Sequence, residues 1–544
     1  MTDNTTPSSE LHLSRRGLLG WAGAAAAIGM TSPARAVTEE QLFPIVETSN
    51  GKLRGISSYG THIFKGVHYG ADTGGANRFM PPQPVAKWAG VKDALNYGSY
   101  APQLPTGRGN AYADLILYDI QPGGMGEDCL VANIWTPSLS ATAKKPVLVH
   151  LHGGGFYAGS GNSPQFDGHM LSRFGDAVVV TLNHRLGSFG FLNLADAGGE
   201  RYAKSGTVGM LDIVAALAWI KENIAAFGGD PSRVLVFGQS GGGLKTSALM
   251  AMPSAKGLFH RAGVMSGSGI RIITADQSAT IADSYLKLLG LGKASVGQLH
   301  TLPFSRLLAA QVTMEAADRQ KGEAPRAFSP VLDGVEIPRH PFDPDAPAVS
   351  ADVPMIVGTV LDERAYRRTN FDLDEAGLLA FANEVGYNNG KKLVEMYRAE
   401  DPTASAYILQ SRLDTDTNFR RGAHIQIDRK AAQGAASVYS YLWKIPSPAY
   451  GGRFGAPHGV DIGPSLYDIR NGLNGPTTEQ VRLAEQMASA WVAFAATGNP
   501  NNAKTPRWDA FTVPQRATLV FEGDSSKTAT VNDPRKAFRE QWGG

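Results

Sequence analysis

Five short apolar runs rich in valine recur along the chain, separated by stretches with helical patterning. This alternation restricts the possible folds more than any other feature. The runs are PVLVHL (146–151), AVVVTLN (177–183), RVLVFG (233–238), VPMIVGTV (353–360) and SVYSYLW (437–443). Between them lie amphipathic stretches such as MLDIVAALAWIKENIAAF (210–227) and LKTSALMAM (244–252). Strands apolar at nearly every position belong to a sheet covered on both faces, and the helices between them serve as crossovers. The expected class is therefore α/β, with a large, mostly parallel central sheet flanked by helices. Such sheets bind ligands beyond the carboxyl ends of their strands, so the chemistry is expected just after each run. A helical region at roughly 270–430 interrupts the β pattern and is expected to form cap insertions over the site.

The chain has 544 residues, 43% hydrophobic and 18% charged, which is enough for one large catalytic domain over residues 37–544. Formal net charge is +2, and no basic block suits a nucleic-acid partner. The first 36 residues read as an export signal. SRRGLLGWAGAAAAIGMTSPARA places paired arginines ahead of a short apolar run and ends in Ala34-Arg35-Ala36, a cleavage-like pattern. The alternative, an uncleaved helical anchor, fits less well because the run is too short to span a bilayer. Twin arginines resemble a bacterial twin-arginine signal, so cleavage after Ala36 and a periplasmic or secreted location are expected, with no stable membrane anchor. Cys129 is the only cysteine, so no intramolecular disulfide can form.

The run RVLVFG leads straight into Gln239-Ser240-Gly241-Gly242-Gly243. A G-x-S-x-G match alone is weak in a chain with 63 glycines. Its setting between a strand pattern and a helical one is what the motif requires, because a sharp turn there pushes the serine hydroxyl outward. The structural alternative is a serine that merely caps the following helix. A hydroxyl becomes a nucleophile when a base takes its proton, and histidine suits that role near neutral pH. In this arrangement the acid and then the histidine follow the serine along the chain. Of twelve histidines, only His424 and His458 lie beyond VPMIVGTV. His424 falls in a helical pattern, whereas His458 sits in the Gly/Pro-rich loop after SVYSYLW, so His458 is the candidate base. For the acid, VPMIVGTVLDER offers Asp362 and Glu363, between which the residues alone do not choose. Asp333 is a rival, although Asp333-Gly334 reads more simply as a turn.

A second glycine cluster, HGGGF (152–156), follows the run PVLVHL. Its backbone N–H groups can approach a substrate oxygen, with another donor from Gly241. The pair His150 and His152 could begin a zinc site, but no further ligands and no H-E-x-x-H accompany it. Neither metal nor cofactor is expected. Phe156, Tyr157 and Tyr467 are candidates to line a pocket, although aromatics are as often core.

From about residue 45 to 510 the chain resembles the type B carboxylesterases, relatives of the cholinesterases with the α/β-hydrolase fold. The shared blocks include FKGVHYG, RFMPPQP, GEDCLVANIWTP, HGGGFYAGSG, NHRLGSFGF, AFGGDPSRVLVFGQSGGG, GLFHRAGVMSGS, VGTVLDER, APHGVDIG and AWVAFAATGNPN. The resemblance implies Ser240 as nucleophile, Glu363 rather than Asp362 as acid, and His458 as base. It also implies Gly154, Gly155 and Gly241 as oxyanion donors, and Ser266 as support for the acid. Cys129 matches a family cysteine whose usual partner position holds Ala101. Gln239 stands where the family usually has glutamate, which disfavours a cationic substrate. Gly241 stands where the family usually has alanine, which leaves the turn less constrained. Arg364 follows the acid where glycine is usual.

The function expected is hydrolysis of small carboxylic esters through an acyl-enzyme on Ser240, with activity rising as the histidine loses its proton. The alternative is a non-catalytic adhesion or carrier member of the same family. Intact triad positions favour the enzyme.

Overall fold

The computed structural model describes residues 38–104, 120–320, 328–386, 388–470 and 472–543. The export-signal segment lies outside them. The chain divides into two units, Met1–Leu42 and Phe43–Gly544.

Eleven strands form the main sheet. In chain order they are β1 (Ile56–Ser58), β2 (Thr61–His68), β3 (Val131–Thr136), β4 (Lys145–Leu151), β5 (Val178–Leu182) and β6 (Gly229–Gln239), then β7 (Arg261–Met265), β8 (Met355–Val360), β9 (Val438–Trp443), β10 (Ala517–Phe521) and β11 (Ala529–Asn532). Across the sheet the order is β11-β10-β9-β8-β7-β6-β4-β5-β3-β2-β1. The continuous block from β10 to β5 is parallel throughout. Antiparallel pairs close both edges.

The all-apolar runs are explained by where alternate side chains go. Val147, Val149, Val178, Val180, Val234 and Val236 enter one core. Their neighbours Leu148, Val179, Leu235 and Phe237 enter a second core on the opposite face. Helix α1 (Val208–Asn223) gives Met210, Ile213, Leu217 and Ile220 to the first core. A long C-terminal helix, Thr478–Thr497, gives Leu483, Met487, Trp491 and Phe494 to the second. Each such fully buried Leu, Val or Phe contributes roughly 1.5–3 kcal/mol, so two faces of them are the main source of stability. Cys129 is buried in the first core as a free thiol.

Helix α2 (Gly241–Met250) starts immediately after β6. The 270–430 region holds α3 (Ala275–Leu288), α4 (Phe304–Gln320), α5 (Glu375–Val385), α6 (Gly390–Glu400), α7 (Ala406–Thr415) and α8 (Arg421–Gln433), interrupted by the sheet strand β8. Helices α5, α6 and α7 share a small core of their own, with Leu378, Leu393, Tyr397, Leu409 and Leu413. A single π-turn, Asp416–Arg420, joins α7 to α8.

Candidate active site

Five adjacent strands deliver the candidate residues from their carboxyl ends. Ser240 follows β6, the glycine loop follows β4, Ser266 follows β7, Glu363 follows β8 and His458 follows β9. At Ser240 the backbone takes φ 57° and ψ −119°, a conformation L-residues rarely adopt. Such a conformation costs on the order of 1–3 kcal/mol and persists only where its surroundings enforce it. Here the backbone N–H of Ser240 donates to the Met265 carbonyl at 2.8 Å, and its own carbonyl accepts from Leu244 at 3.0 Å. The turn is too close to β4 for side chains: a Cβ on Gly242 would lie 2.0 Å from the Leu151 carbonyl oxygen.

Ser240 is partly exposed, on the wall of a cavity of about 370 Å³ that Gly154, Gly155, Tyr157, Leu244 and Ser266 also line. That volume suits a small organic ligand. Gly241 packs against the glycine loop so closely that a Cβ there would sit 2.2 Å from the Gly155 nitrogen. The resemblance led us to expect a less constrained turn at Gly241. Instead, glycine is demanded there, because an alanine methyl would push the loop away.

Glu363 is fully buried and His458 nearly so. Nδ1 of His458 lies 2.6 Å from Oε2 of Glu363. The other carboxylate oxygen of Glu363 accepts from the Val360 N–H at 2.9 Å, which fixes the acid against the end of its own strand. The imidazole is stacked on Tyr366 (centroids 5.2 Å apart, 15° between planes) and flanked by Phe419 at 5.0 Å. Both aromatics line the Ser240 cavity, so the histidine ring adjoins the same wall.

Asp362, the neighbour of Glu363, is buried in a different bonding pattern. It accepts from Arg412 Nε at 3.0 Å and from the Ala456 N–H at 2.9 Å. Its backbone N–H donates to the Ala456 carbonyl at 3.0 Å. Asp362 therefore ties the acid loop to the histidine loop and leaves Glu363 to face the imidazole. Asp333 accepts from Val335 and Ile337 N–H groups, as a turn aspartate does. His424 lies within α8, beside Arg420 and Asp416.

Ser266 departs from expectation. It lines the cavity and its N–H donates to the Gly358 carbonyl, but its hydroxyl makes no hydrogen bond among the described residues, to Glu363 or any other. Val360 holds that carboxylate oxygen instead. Gln239 is buried, with its amide against Gly153 at the start of the glycine loop. Of the candidate aromatics, only Tyr157 lines the cavity: Phe156 packs on Phe191, and Tyr467 stacks on Phe174.

The two histidines of the HxH pair have packing roles. His150 lies between Phe166 and Phe237, and burial pushes its pKa down to about 3. His152 stacks on His184 at 5.1 Å. Beside them is Lys245 on α2, completely buried, donating from Nζ to the His152 carbonyl at 2.9 Å. Burial holds its ammonium pKa well below the usual lysine range. Lys245 thus ties the helix that follows Ser240 to the residue preceding the glycine loop. A lysine inside the largely apolar LKTSALMAM was the only sequence signal for it. Asp461 also escaped notice: it is buried, accepts from Tyr441 OH at 2.6 Å, and has its pKa pushed up to about 7 by burial and by the charge of Glu363.

Comparison with known proteins agrees over nearly the whole chain. Residues 43–539 match the family described as the Carboxylesterase family. The para-nitrobenzyl esterase of Bacillus subtilis is 34% identical over 502 residues, covering 91% of this chain and 98% of that protein. The phenmedipham hydrolase of Pseudarthrobacter oxydans is 31% identical, covering 89% and 96%. Among solved structures, an esterase from Clostridium hathewayi, described as able to hydrolyse aliphatic aromatic polyesters, matches with a TM-score of 0.80. It is 36% identical, over 92% of this chain and 98% of that one.

Proposed function

Since the chain belongs to the carboxylesterase family of α/β-hydrolases and is a carboxylic ester hydrolase, we propose that it works through an acyl-enzyme on Ser240, with His458 as base and Glu363 as acid. The observation that carries this reading is the 2.6 Å contact between His458 and Glu363, set beside the cavity that the strained Ser240 lines.

In the first half-reaction His458 removes the Ser240 proton as Oγ bonds to the ester carbonyl carbon. The carbonyl electrons move onto oxygen, where N–H groups of Gly154, Gly155 and Gly241 receive the developing charge. Each such donor supplies roughly 2.7–4 kcal/mol of transition-state stabilisation. When the tetrahedral centre collapses, the carbon–oxygen bond to the alcohol breaks and His458 gives that oxygen the proton. Water then enters along the same path: His458 takes its proton, the acyl bond to Ser240 breaks, and Ser240 recovers a proton from His458. Glu363 holds the ring with Nδ1–H toward itself and balances the imidazolium charge.

Replacing Ser240 with Ala is expected to lower ester turnover by at least about a thousandfold. It should also abolish covalent labelling by a fluorophosphonate, which the native enzyme takes up one-to-one. Unchanged turnover in that variant overturns the assignment. The twin-arginine pattern supports export with cleavage after Ala36. No helix among the described residues is long and apolar enough to cross a membrane.

A further inference from the structure

The loop that carries the acid also carries a run of cations. Arg364, Arg367 and Arg368 follow Glu363, and Arg364 and Arg367 line the Ser240 cavity. Arg364 and Arg368 share one carboxylate, Asp414, at 3.1 and 2.5 Å. Arg367 is exposed and has no carboxylate partner among the described residues. Its Nε donates to the Tyr366 hydroxyl at 2.8 Å, and the guanidinium carbon lies 5.3 Å from that ring's centroid. The phenol therefore steadies the guanidinium without neutralising it. No aspartate or glutamate lines the cavity, and Gln239, adjoining the nucleophile, is neutral.

Asp414 offsets Arg364, whereas Arg367 has no carboxylate of its own, so the cavity wall carries a surplus positive charge. Arginine stays charged at any pH where the protein is folded. In a concave wall of low dielectric such charges concentrate the field at the opening, attracting anions and repelling cations. A guanidinium with open N–H groups also matches a carboxylate geometrically, because two parallel donors meet two acceptor oxygens. Arg364 is the weaker candidate for this role, since its Nε already pairs with Asp414, which offsets its charge.

We propose that this site prefers esters bearing a free carboxylate, with Arg367 as the residue that determines the preference. The inference rests on the Ser240 reading above. The carboxylate can belong to the acyl part, as in a half-ester of a dicarboxylic acid, or to the alcohol part, as in an ester of a hydroxy acid.

Two matched pairs of substrates separate the possibilities. The acyl arm compares para-nitrophenyl hydrogen adipate with para-nitrophenyl hexanoate. The alcohol arm compares para-acetoxybenzoate with para-acetoxybenzamide. In at least one pair the charged ester should have the higher kcat/KM, by about tenfold at low ionic strength, with the difference residing in KM. Raising the salt should shrink that ratio as the exposed guanidinium is screened. The variant Arg367→Met should lower the ratio about tenfold, Arg367→Lys should restore part of it, and Arg367→Glu should invert it.

Ratios at or below unity in both arms overturn the proposal. So does an Arg367→Met variant in which both members of each pair fall by the same factor. Should that variant fail to fold, the salt dependence of the native ratio decides alone, and a ratio indifferent to salt counts against the proposal. Failure of the Ser240 reading looks different: both esters of every pair would still turn over in Ser240→Ala.

Discussion

Asp461 is a second buried acid close to Glu363, three positions beyond the candidate base. Both carboxyls sit where water cannot solvate two charges. Burial and the neighbouring Glu363 push the Asp461 pKa up to about 7, against the opposing hydrogen bonds from Tyr441 and the backbone. In the unfolded chain an aspartate titrates near about 3.9. Between those values the folded state retains a proton that the unfolded state has released, so stability falls as pH rises through that window. An asparagine in place of the acid would keep an acceptor for Tyr441 and could not ionise. For the variant Asp461→Asn we expect the urea midpoint, relative to the native enzyme, to rise steadily from about pH 4 to about pH 7 and then level off. A difference independent of pH would show that Asp461 does not titrate there.

The π-turn between α7 and α8 braces the strand end that holds the acid. Arg420, almost fully buried at 6% exposure, donates to the carbonyls of Val360 and Leu361 at 2.9 and 3.0 Å and to Thr359 Oγ1 at 2.9 Å. Its Nε meets Asp416 at 2.7 Å, and Arg535 braces the same carboxylate at 2.7 and 2.8 Å. Replacing Arg420 with Met leaves three acceptors without their donor, and breaking a buried charged network costs roughly 3–5 kcal/mol. The expected outcome is a lower thermal-inactivation midpoint together with a kcat reduced about tenfold at nearly constant KM, because the loop bearing Glu363 loosens. Arg420→Lys should recover part of the stability through Asp416. Unaltered kcat would show that the acid is held without this turn.

None of this support was legible in the sequence, and the reason is physical. Strands buried on both faces announce themselves by unbroken apolar runs, so β4, β5, β6, β8 and β9 could be read directly. Strand β11 has three exposed residues of four, and β7, RAGVM, is short and built partly from small residues, so neither carries that signal. The candidate serine and histidine could be singled out because each follows a readable strand. The choice of Glu363 over Asp362 needed the resemblance, since only the fold reveals that Arg412 and Ala456 occupy Asp362. Tyr366 and Phe419 meet at His458 from separate segments, a meeting that no local pattern encodes.

Residues Phe43–Gly544 hold all the candidate chemistry of the enzyme. Each residue assigned a catalytic role lies within Phe43–Gly544, and among the described residues both large cores are built from that unit, beginning at Val46. The only cysteine is buried and free, so no intrachain disulfide can staple the fold. Hydrophobic burial in a domain of this size is sufficient without staples. A chain begun at Val37 should therefore fold and hydrolyse esters with the kcat/KM of the full-length enzyme. If Arg15 and Arg16 direct export, N-terminal sequencing of enzyme from the periplasm of a bacterial host should begin at Val37. Replacing both arginines with lysine should then hold the uncleaved chain in the cytoplasm, still active, because the route carries proteins already folded. A truncated chain without activity would mean that the leader takes part in folding. A mature start elsewhere would move the boundary between address and enzyme, and the site would stand as described.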